Sequence, residues 1–343
     1  MESSSSFASA SELPQQLVLD ELRAVNGLEV RECVELRRYT RFGIGGVADL
    51  FAETADPEAF ARAVGICRSR GCPLYVMGDG SNVIVSDDGF RGLILRFAAR
   101  GLSREGSNVI ADAGAALQSL VDYAIDAGMR GLETLAGIPG SVGAAIYGNA
   151  GAYGHSISER VEWVQLFDGG GVRKFGNAEC EFDYRESVFK RHKSWVIFGA
   201  GLALEPDDAA DLRKTASEIM AVRDKKFPPT MRCAGSIFKN LHLKNLPPAV
   251  AAAVPAQVVR EGKVASAYFL EQVGAKGMRR GGIEIASYHA NLIYNTGEGT
   301  AADLRAMIFE LKKRVREKYG FDVEEEVQYV GEFETTEEQD LGA

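Results

Sequence analysis

The sequence predicts an α+β protein made of two small α/β units followed by a C-terminal α+β unit. At 343 residues, the chain is long enough for two or three domains with substantial cores. In its first third, segments with helical spacing of apolar residues alternate with short β-type runs. Between residues 158 and 204, the runs VEWVQLF and SWVIFGAGLAL are separated by glycine and charged turns, which indicates a mainly antiparallel sheet.

The first helix that the apolar spacing predicts covers residues 57–70, and Gly71 is its expected C-cap. The β-type runs PLYVM, VIV and LILRF follow, with the turn GDGSN between the first two. Further helices are predicted over residues 115–127, closing at Gly128, and over residues 206–224.

The last third of the chain predicts a helix near 266–273, strands at 283–286 and 291–294, a long helix from residue 301, and a final strand EVQYV. Thr300 and Asp303 form a capping box at the start of the long helix, and Gly320 ends it. Residues 246–262 are either an insertion or a short helix flanked by prolines.

These patterns divide the chain into a disordered tail, two α/β subdomains, a C-terminal domain and an acidic tail. The corresponding ranges are 1–22, 23–97, 98–222, 223–333 and 334–343. The N-terminus lacks a basic segment followed by an apolar one, so it is not a secretory signal.

Composition excludes several classes of function. The net charge of −9 and the pI near 5.2 argue against nucleic acid or an anionic membrane as partner. No run approaches the roughly 18 apolar residues of a membrane span, so membrane insertion is not expected. The five cysteines have neither disulfide-framework nor zinc-site spacing, which predicts reduced thiols in the cytoplasm and no metal site.

Two short glycine-rich turns precede a longer one. GIGGVA, residues 43–48, fits the pattern of a Rossmann dinucleotide fingerprint, but a strand-like run follows it where a helix should begin, so the context rejects that function. GDGSN, residues 78–82, is either a plain tight turn or a turn whose N–H groups and polar side chains face a phosphate.

The long glycine-rich stretch, residues 131–154, favours the second interpretation. Gly137, Gly140 and Gly143 recur at every third position, with Pro139 among them, which is too regular for a flexible linker. A backbone that approaches a pyrophosphate or a flat ring needs residues without Cβ bulk, and unpaired N–H groups then bind anionic oxygens. We therefore interpret this stretch as a cofactor cradle.

These residues also carry a family resemblance. YTRFGIGGVADLF, VMGDGSNVIVSDDGFRGLILRF and GLETLAGIPGSVGAAIYGNAGAYG resemble, in order, the FAD-binding stretches of the UDP-N-acetylenolpyruvoylglucosamine reductases. The resemblance continues through FDYRESVFK, AGSIFKN, YFLEQVGAKG, HANLIYNTGEGTAADL and EEVQYVG, and covers about residues 36–331.

The resemblance implies an FAD-binding fold of the vanillyl-alcohol-oxidase type, in which the two α/β subdomains hold noncovalent FAD and the C-terminal domain binds substrate. It implies an enzyme that uses NADPH as co-substrate to reduce UDP-N-acetylglucosamine enolpyruvate to UDP-N-acetylmuramate, in cytoplasmic peptidoglycan precursor synthesis. The nucleotide-sugar substrate is then the expected partner, and the protein is expected to be a monomer.

Three residues match the family's catalytic positions. Ser236, in AGSIFKN, matches the proton donor, and Arg185, in FDYRES, matches the arginine that stabilises the enolate and holds the substrate carboxylate. Glu326 matches the glutamate beside the intermediate. A surface ion pair is the alternative for Arg185, and a solvated acidic run is the alternative for residues 324–326.

The family resemblance also implies the binding residues. For FAD they are Gly45, Gly78, Gly80, Ser81, Asn82, Gly137, Gly140, Ser141, Gly143, Asn149 and Gly151. For the substrate they are Tyr184, Lys226, Lys239, Asn240 and His289. The segment 223–240 holds five basic residues against one acid, so in a chain of net charge −9 it is where a diphosphate is expected, with a solvated basic patch as the alternative.

The sequence departs from the family pattern in three places. The segment between Arg185 and Ser236 lacks the tyrosine-bearing loop of one branch, so the chain resembles the type II branch. AGSIFKN is followed by leucine where proline is usual, and residues 246–262 have no counterpart in the shorter members. Two other functions remain open on the sequence. They are an FAD-linked alcohol or hydroxy-acid oxidoreductase of the same superfamily and a noncatalytic nucleotide-sugar-binding regulator.

Overall fold

The computed structural model describes residues 12–333. Its α-helices are α1 (Glu12–Arg23), α2 (Pro57–Arg70), α3 (Leu117–Asp126), α4 (Val142–Tyr147), α5 (Val188–Arg191), α6 (Ala209–Lys226), α7 (Pro248–Ala253), α8 (Ser266–Gln272) and α9 (Ala301–Tyr319). The first ten strands are β1 (Glu29–Glu35), β2 (Val47–Thr54), β3 (Leu74–Val76), β4 (Val83–Val85), β5 (Phe90–Phe97), β6 (Leu102–Glu105), β7 (Asn108–Asp112), β8 (Met129–Arg130), β9 (Gly151–Ala152) and β10 (His155–Ser156). The later strands are β11 (Val161–Phe167), β12 (Val172–Gly176), β13 (Val196–Ala203), β14 (Glu205–Pro206), β15 (Leu241–His242), β16 (Val259–Arg260), β17 (Lys263–Val264), β18 (Arg279–Arg280), β19 (Ile283–Ile285), β20 (Ile293–Asn295) and β21 (Gln328–Val330).

Helices and strands are mixed throughout, which confirms the predicted α+β class. The described residues form two compact units, each assembled from three stretches of chain. The first unit comprises 12–34, 48–78 and 91–217, and the second comprises 35–47, 79–90 and 218–333.

The first unit contains two main sheets. One has the strand order β1-β2-β5-β3, with β3 and β5 parallel. The other has the order β12-β11-β13-β7-β6, and its pairings are antiparallel, which confirms the sheet predicted for residues 158–204. The central strand β13 is buried along almost its whole length.

Helix α2 forms where the apolar spacing predicts it. The Asp56 side chain accepts from the Glu58 N–H at its start, Pro57 takes the first helical position, and Gly71 ends it with a left-handed φ of 64°. Its buried face includes Phe60, which packs edge-on against Phe198 with ring centroids 5.5 Å apart. The helix is therefore held by both its caps and its core contacts.

Helix α1 corrects one prediction. Residues 12–22 are helical and belong to no disordered tail, because Val18, Leu19 and Leu22 lie on one helical face and are buried in the same core as Phe60. Residues 1–11 of the predicted N-terminal tail, and the acidic tail 334–343, lie outside the described residues.

The second unit packs around α9. The apolar face of this helix, made of Leu304, Met307, Ile308, Leu311 and Val315, is buried as its spacing predicts. Two three-stranded sheets, β15-β17-β16 and β18-β19-β20, and a parallel pair of β4 with β21 complete the unit. Residues 246–262 include α7, so the short helix predicted there is confirmed.

Side chains from distant parts of the second unit fix the start of α9. Thr300 accepts from the Asp303 N–H at 3.0 Å, while the Asp87 carboxylate accepts from the Ala301 and Ala302 N–H groups at 2.9 and 3.0 Å. Gly320 ends the helix with a φ of 72°, as predicted. No helix of the described residues is long and apolar enough to cross a membrane.

Two glycines allow a matched test of this packing. A Cβ atom at Gly46 would lie 2.1 Å from the Asp87 carbonyl oxygen, whereas a Cβ at Gly65, on the exposed face of α2, meets nothing within 4 Å. We expect Gly46→Ala to lower the free energy of unfolding by about 3 kcal/mol through overpacking. Gly65→Ala should raise it by roughly 0.5–1 kcal/mol through helix propensity. Urea unfolding of both variants measures the difference, and equal midpoints would contradict the packing described.

Candidate active site

The turn at residues 78–82 is built tightly against the chain itself. Gly80 has a φ of +61°, and a Cβ atom there would lie 1.8 Å from the Tyr39 carbonyl oxygen. The Gly80 carbonyl accepts from the Arg41 N–H at 3.0 Å. The glycine at this position is therefore required by the protein's own backbone.

The same turn presents N–H groups that have no acceptor within residues 12–333. Gly80 is buried and Ser81 is half-buried, yet among residues 12–333 neither N–H group donates a hydrogen bond. A buried N–H without a partner is costly and rare. Successive N–H groups in a turn are a common binding site for phosphate oxygens, so the turn fits the predicted cofactor phosphate.

A second pair of N–H groups without acceptors, those of Gly140 and Ser141, lies in the long glycine-rich stretch as the structure describes it. The backbone there is unusual, since Gly137 and Gly140 have φ values of +74° and +119°, which few other residues adopt. Within the described part of the chain, the N–H groups of Gly140 and the buried Ser141 donate to no acceptor. The cradle predicted from sequence thus contains open donors, although part of its glycine content serves packing.

Close packing explains Gly143 in this stretch and also Gly78 in the GDGSN turn. A Cβ atom at Gly143 would lie 2.8 Å from the Ala113 Cβ, and one at Gly78 would lie 2.9 Å from the Ser141 Oγ. Gly45, with a φ of +132°, packs in the same way, since its Cβ would lie 2.8 Å from the Val85 Cβ in the second unit. These three predicted cofactor residues are therefore glycines for reasons of internal packing.

Arg185 occupies the tip of a hairpin in the first unit. Reciprocal backbone hydrogen bonds of 3.1 and 3.0 Å between Asp183 and Glu186 close the turn, so Tyr184 and Arg185 are its two central residues. Arg185 has a φ of +57°, an unfavourable backbone conformation for a residue with a side chain. Conformations of this kind cluster at functional sites.

The cradle fixes the Arg185 side chain. Its Nη2 donates to the Gly151 carbonyl at 2.8 Å and its Nη1 donates to the Asn149 carbonyl at 3.3 Å. Asn149, itself buried with a φ of +43°, donates from Nδ2 to the Asp183 carbonyl at 2.8 Å. Four residues singled out from sequence, Tyr184, Arg185, Asn149 and Gly151, thus lie together in the first unit.

Ser236 begins a short extended segment in the second unit that is paired on both sides. On one side, Ser236 bridges Leu292, and the Ile237 N–H donates to the Asn291 carbonyl at 3.2 Å. On the other side, the Glu326 N–H donates to the Ile237 carbonyl at 2.7 Å. The hydrogen bond between the Glu326 N–H and the Ile237 carbonyl therefore holds Glu326 beside the residue that follows Ser236.

The partners of the three successive glutamates separate their roles. Glu324 pairs with Lys239, and Glu325 accepts from Lys312 at 2.9 Å and from the Tyr329 hydroxyl at 2.5 Å. Glu326, half-buried like Glu325, donates from its backbone N–H to the Ile237 carbonyl at 2.7 Å. Its carbonyl accepts from Asn82 Nδ2 at 2.9 Å, which ties the GDGSN turn to the residues just before β21.

Lys226 and His289 lie near each other in the second unit. Lys226 ends α6, and burial lowers the pKa of its amine. The neighbouring Tyr288 hydroxyl donates to the Lys226 carbonyl at 2.9 Å. Burial, with a smaller contribution from the Lys226 charge, lowers the pKa of His289 to about 4, so its ring is neutral near pH 7.

Lys239 and Asn240 differ in their surroundings. Lys239 is 9 % exposed and its amine is paired with Glu324, whereas Asn240 is exposed. The structure thus places the Lys239 charge inside an ion pair.

Sequence reasoning missed Asn291 as a positioning residue. Asn291 is 2 % exposed, and its side-chain amide accepts from the Phe238 N–H and donates to the Phe238 carbonyl, both at 2.9 Å. It therefore acts as a substitute strand partner for the Ser236 segment. Asn291 is part of the HAN motif, residues 289–291, but only the histidine of that motif was assigned a role from the sequence.

Two family models match the chain. The model described as "FAD binding domain" matches residues 48–175, and the model described as "UDP-N-acetylenolpyruvoylglucosamine reductase, C-terminal domain" matches residues 227–330. The first range contains the glycine-rich cradle and the second contains Ser236 and Glu326.

Relatives match over most of their own length. The UDP-N-acetylenolpyruvoylglucosamine reductase of Solibacter usitatus is 62% identical over 310 residues, which are 90% of this chain and 99% of the relative. The reductase of Rubrobacter xylanophilus is 37% identical over 87% of this chain and 94% of its own. Among solved structures, the reductase from Thermus caldophilus superposes with a TM-score of 0.69 at 29% identity, covering 88% of this chain and 99% of that one.

The resemblance carried by the sequence motifs is thereby confirmed over almost the whole described region. The chain belongs to the UDP-N-acetylenolpyruvoylglucosamine reductase family.

Proposed function

We propose that the protein reduces UDP-N-acetylglucosamine enolpyruvate to UDP-N-acetylmuramate, with FAD as cofactor and NADPH as the source of electrons. The observation that carries this proposal is the 62% identity to a reductase of that name over 99% of its length. The site geometry supports it, because the residues that match the family's catalytic positions are held by specific backbone contacts in both units.

We propose that FAD binds noncovalently through open backbone N–H groups, of which the glycine-rich stretch of the first unit supplies those of Gly140 and Ser141. Both are without acceptors among the described residues, and phosphate oxygens would satisfy them. When bound, FAD supplies the hydride that adds to the terminal methylene carbon of the enolpyruvyl group.

Arg185 would hold the substrate carboxylate and balance the charge that develops beside it. A guanidinium fork binds a carboxylate in a planar, bidentate arrangement. Its bonds to two carbonyl groups of the cradle fix its position before substrate binds, so little reorganisation is needed during the reaction.

Ser236 would donate the proton to the carbon next to the carboxylate. Its hydroxyl makes no hydrogen bond to any described residue, so it is available to the substrate. A serine is a weak acid, and it suffices only because the carbanion that it protonates is strongly basic. Glu326, held beside the same segment, would hydrogen-bond to the intermediate.

The substrate-binding residues would divide between charge and shape. Lys226 is the cation we assign to the substrate diphosphate, with Asn240 and the neutral His289 supplying hydrogen bonds. In the first unit, Tyr184 lies beside Arg185 and would contact the substrate as well. Lys239 would act on the substrate only after exchanging its bond to Glu324. In this proposal residues 23–222 serve FAD, residues 223–333 serve the substrate, and the enzyme works as a cytoplasmic monomer.

An anaerobic visible spectrum tests the function. The purified protein should be yellow, lose its flavin absorbance on addition of NADPH, and regain it on addition of UDP-N-acetylglucosamine enolpyruvate. Flavin that bleaches but is not reoxidised by this substrate would show that the substrate is wrong. Protein that stays colourless after FAD is added would overturn the cofactor.

The buried His289 generates a pH prediction. In the unfolded chain the ring takes up a proton below about pH 6.5, but in the folded protein only below about pH 4. Between these values the unfolded state binds more protons, so this contribution to stability is present above pH 6.5 and is lost as the pH falls toward 4. The thermal midpoint of the wild type should therefore fall more between about pH 7 and pH 5 than that of His289→Gln. An equal fall in both proteins would contradict the buried neutral ring.

A further inference from the structure

The backbone around Arg41 is fixed on both sides. The Gly43 N–H donates to the Thr40 carbonyl at 3.0 Å, and the Thr40 hydroxyl donates to the Ile44 carbonyl at 2.7 Å. Phe42 is 1 % exposed, and its carbonyl accepts from Asn295 Nδ2 at 2.9 Å. Since the Arg41 N–H itself donates to the Gly80 carbonyl at 3.0 Å, the side chain starts from a rigid point beside the GDGSN turn.

Among the described residues, the Arg41 side chain has no partner, unlike the neighbouring arginines. Its Nε is buried without a hydrogen-bond acceptor, and within residues 12–333 its guanidinium makes no ion pair. Arg37 and Arg38, a few residues earlier, both pair with Glu35, at 2.8 and 2.7 Å. Arg41 is therefore a half-buried charge that the described residues do not satisfy.

Such a charge points to an anion supplied from outside the chain. Burying an unpaired guanidinium is costly, and in a chain of net charge −9 a carboxylate partner would be easy to supply. The Gly80 and Ser81 N–H groups, open donors of the same kind, lie in the turn to which the Arg41 backbone is bonded. Guanidinium forks and adjacent N–H groups together are the usual recognition elements for phosphate oxygens.

We propose that Arg41 binds the diphosphate of a nucleotide ligand, and that this ligand is FAD. The assignment rests on the proposed function and gives a role to a residue of the YTRFGIGGVADLF stretch that was not among the FAD-binding residues named from the sequence. FAD is favoured over the nucleotide-sugar because Arg41 is bonded to the turn at Gly80, whereas the lysine assigned to the substrate lies at the end of α6.

The test is a titration of flavin-free protein with FAD, followed by flavin fluorescence. Arg41→Ala should weaken FAD binding about 10- to 100-fold, the effect of losing a charge-assisted contact. Arg41→Lys should lose less, because lysine keeps the charge but not the fork. Arg38→Ala, the neighbouring exposed arginine, should bind FAD as the wild type does.

Two further ligands separate contact from fold. Riboflavin has no phosphate, so its affinity should be the same in the wild type and in Arg41→Ala. A parallel loss of riboflavin binding would show that the variant is merely misfolded locally and would overturn the assignment. Unchanged FAD affinity with a raised KM for UDP-N-acetylglucosamine enolpyruvate would move the contact to the substrate diphosphate and would also overturn it.

The same titration distinguishes this assignment from the proposed function. If the wild type binds FAD tightly and Arg41→Ala binds it equally, the role of Arg41 is wrong while the function stands. If the wild type binds no FAD, the proposed function fails, and the role of Arg41 fails with it.

Discussion

The candidate catalytic groups of the second unit depend on the pairing of one short segment, residues 236–239, along both of its edges. Asn291 and Leu292 bind one edge, and residues 324–326 bind the other. Because buried backbone groups must be paired, this segment has little freedom to shift. The position of Ser236 relative to Glu326 follows from that pairing, and Asn82 extends the same network into the GDGSN turn.

The glycines of the cofactor region serve two physical purposes. A Cβ atom at Gly45, Gly78, Gly80 or Gly143 would collide with the protein itself, so their identity reflects packing. The N–H groups of Gly80 and Gly140 have no acceptor among the described residues, so they are open donors. Gly80 serves both purposes, and glycine content alone does not distinguish them, because both require a close approach of backbone.

Local patterns predicted the elements whose signals are local. The helix over 57–70 and the long helix from residue 301 carry both caps and a clear apolar face, and both form as predicted. Helix α1 was missed because a serine-rich beginning and polar composition obscured the three apolar residues that bury its face. Asn291 and Arg41 could not be assigned from sequence. The role of Asn291 depends on its pairing with Phe238, which is 53 residues away in the chain. The role of Arg41 depends on its side chain having no partner among the described residues.

The most direct test of the account is the rate at which substrate reoxidises the reduced flavin in Ser236→Ala, measured by anaerobic stopped flow. The account predicts reduction by NADPH at the wild-type rate and reoxidation slowed by about 10²- to 10⁴-fold, the usual contribution of a positioned proton donor. Cys233→Ala, which alters a buried thiol three residues earlier, should keep the wild-type reoxidation rate. Reoxidation at the wild-type rate in Ser236→Ala would contradict the central claim that this serine delivers the proton.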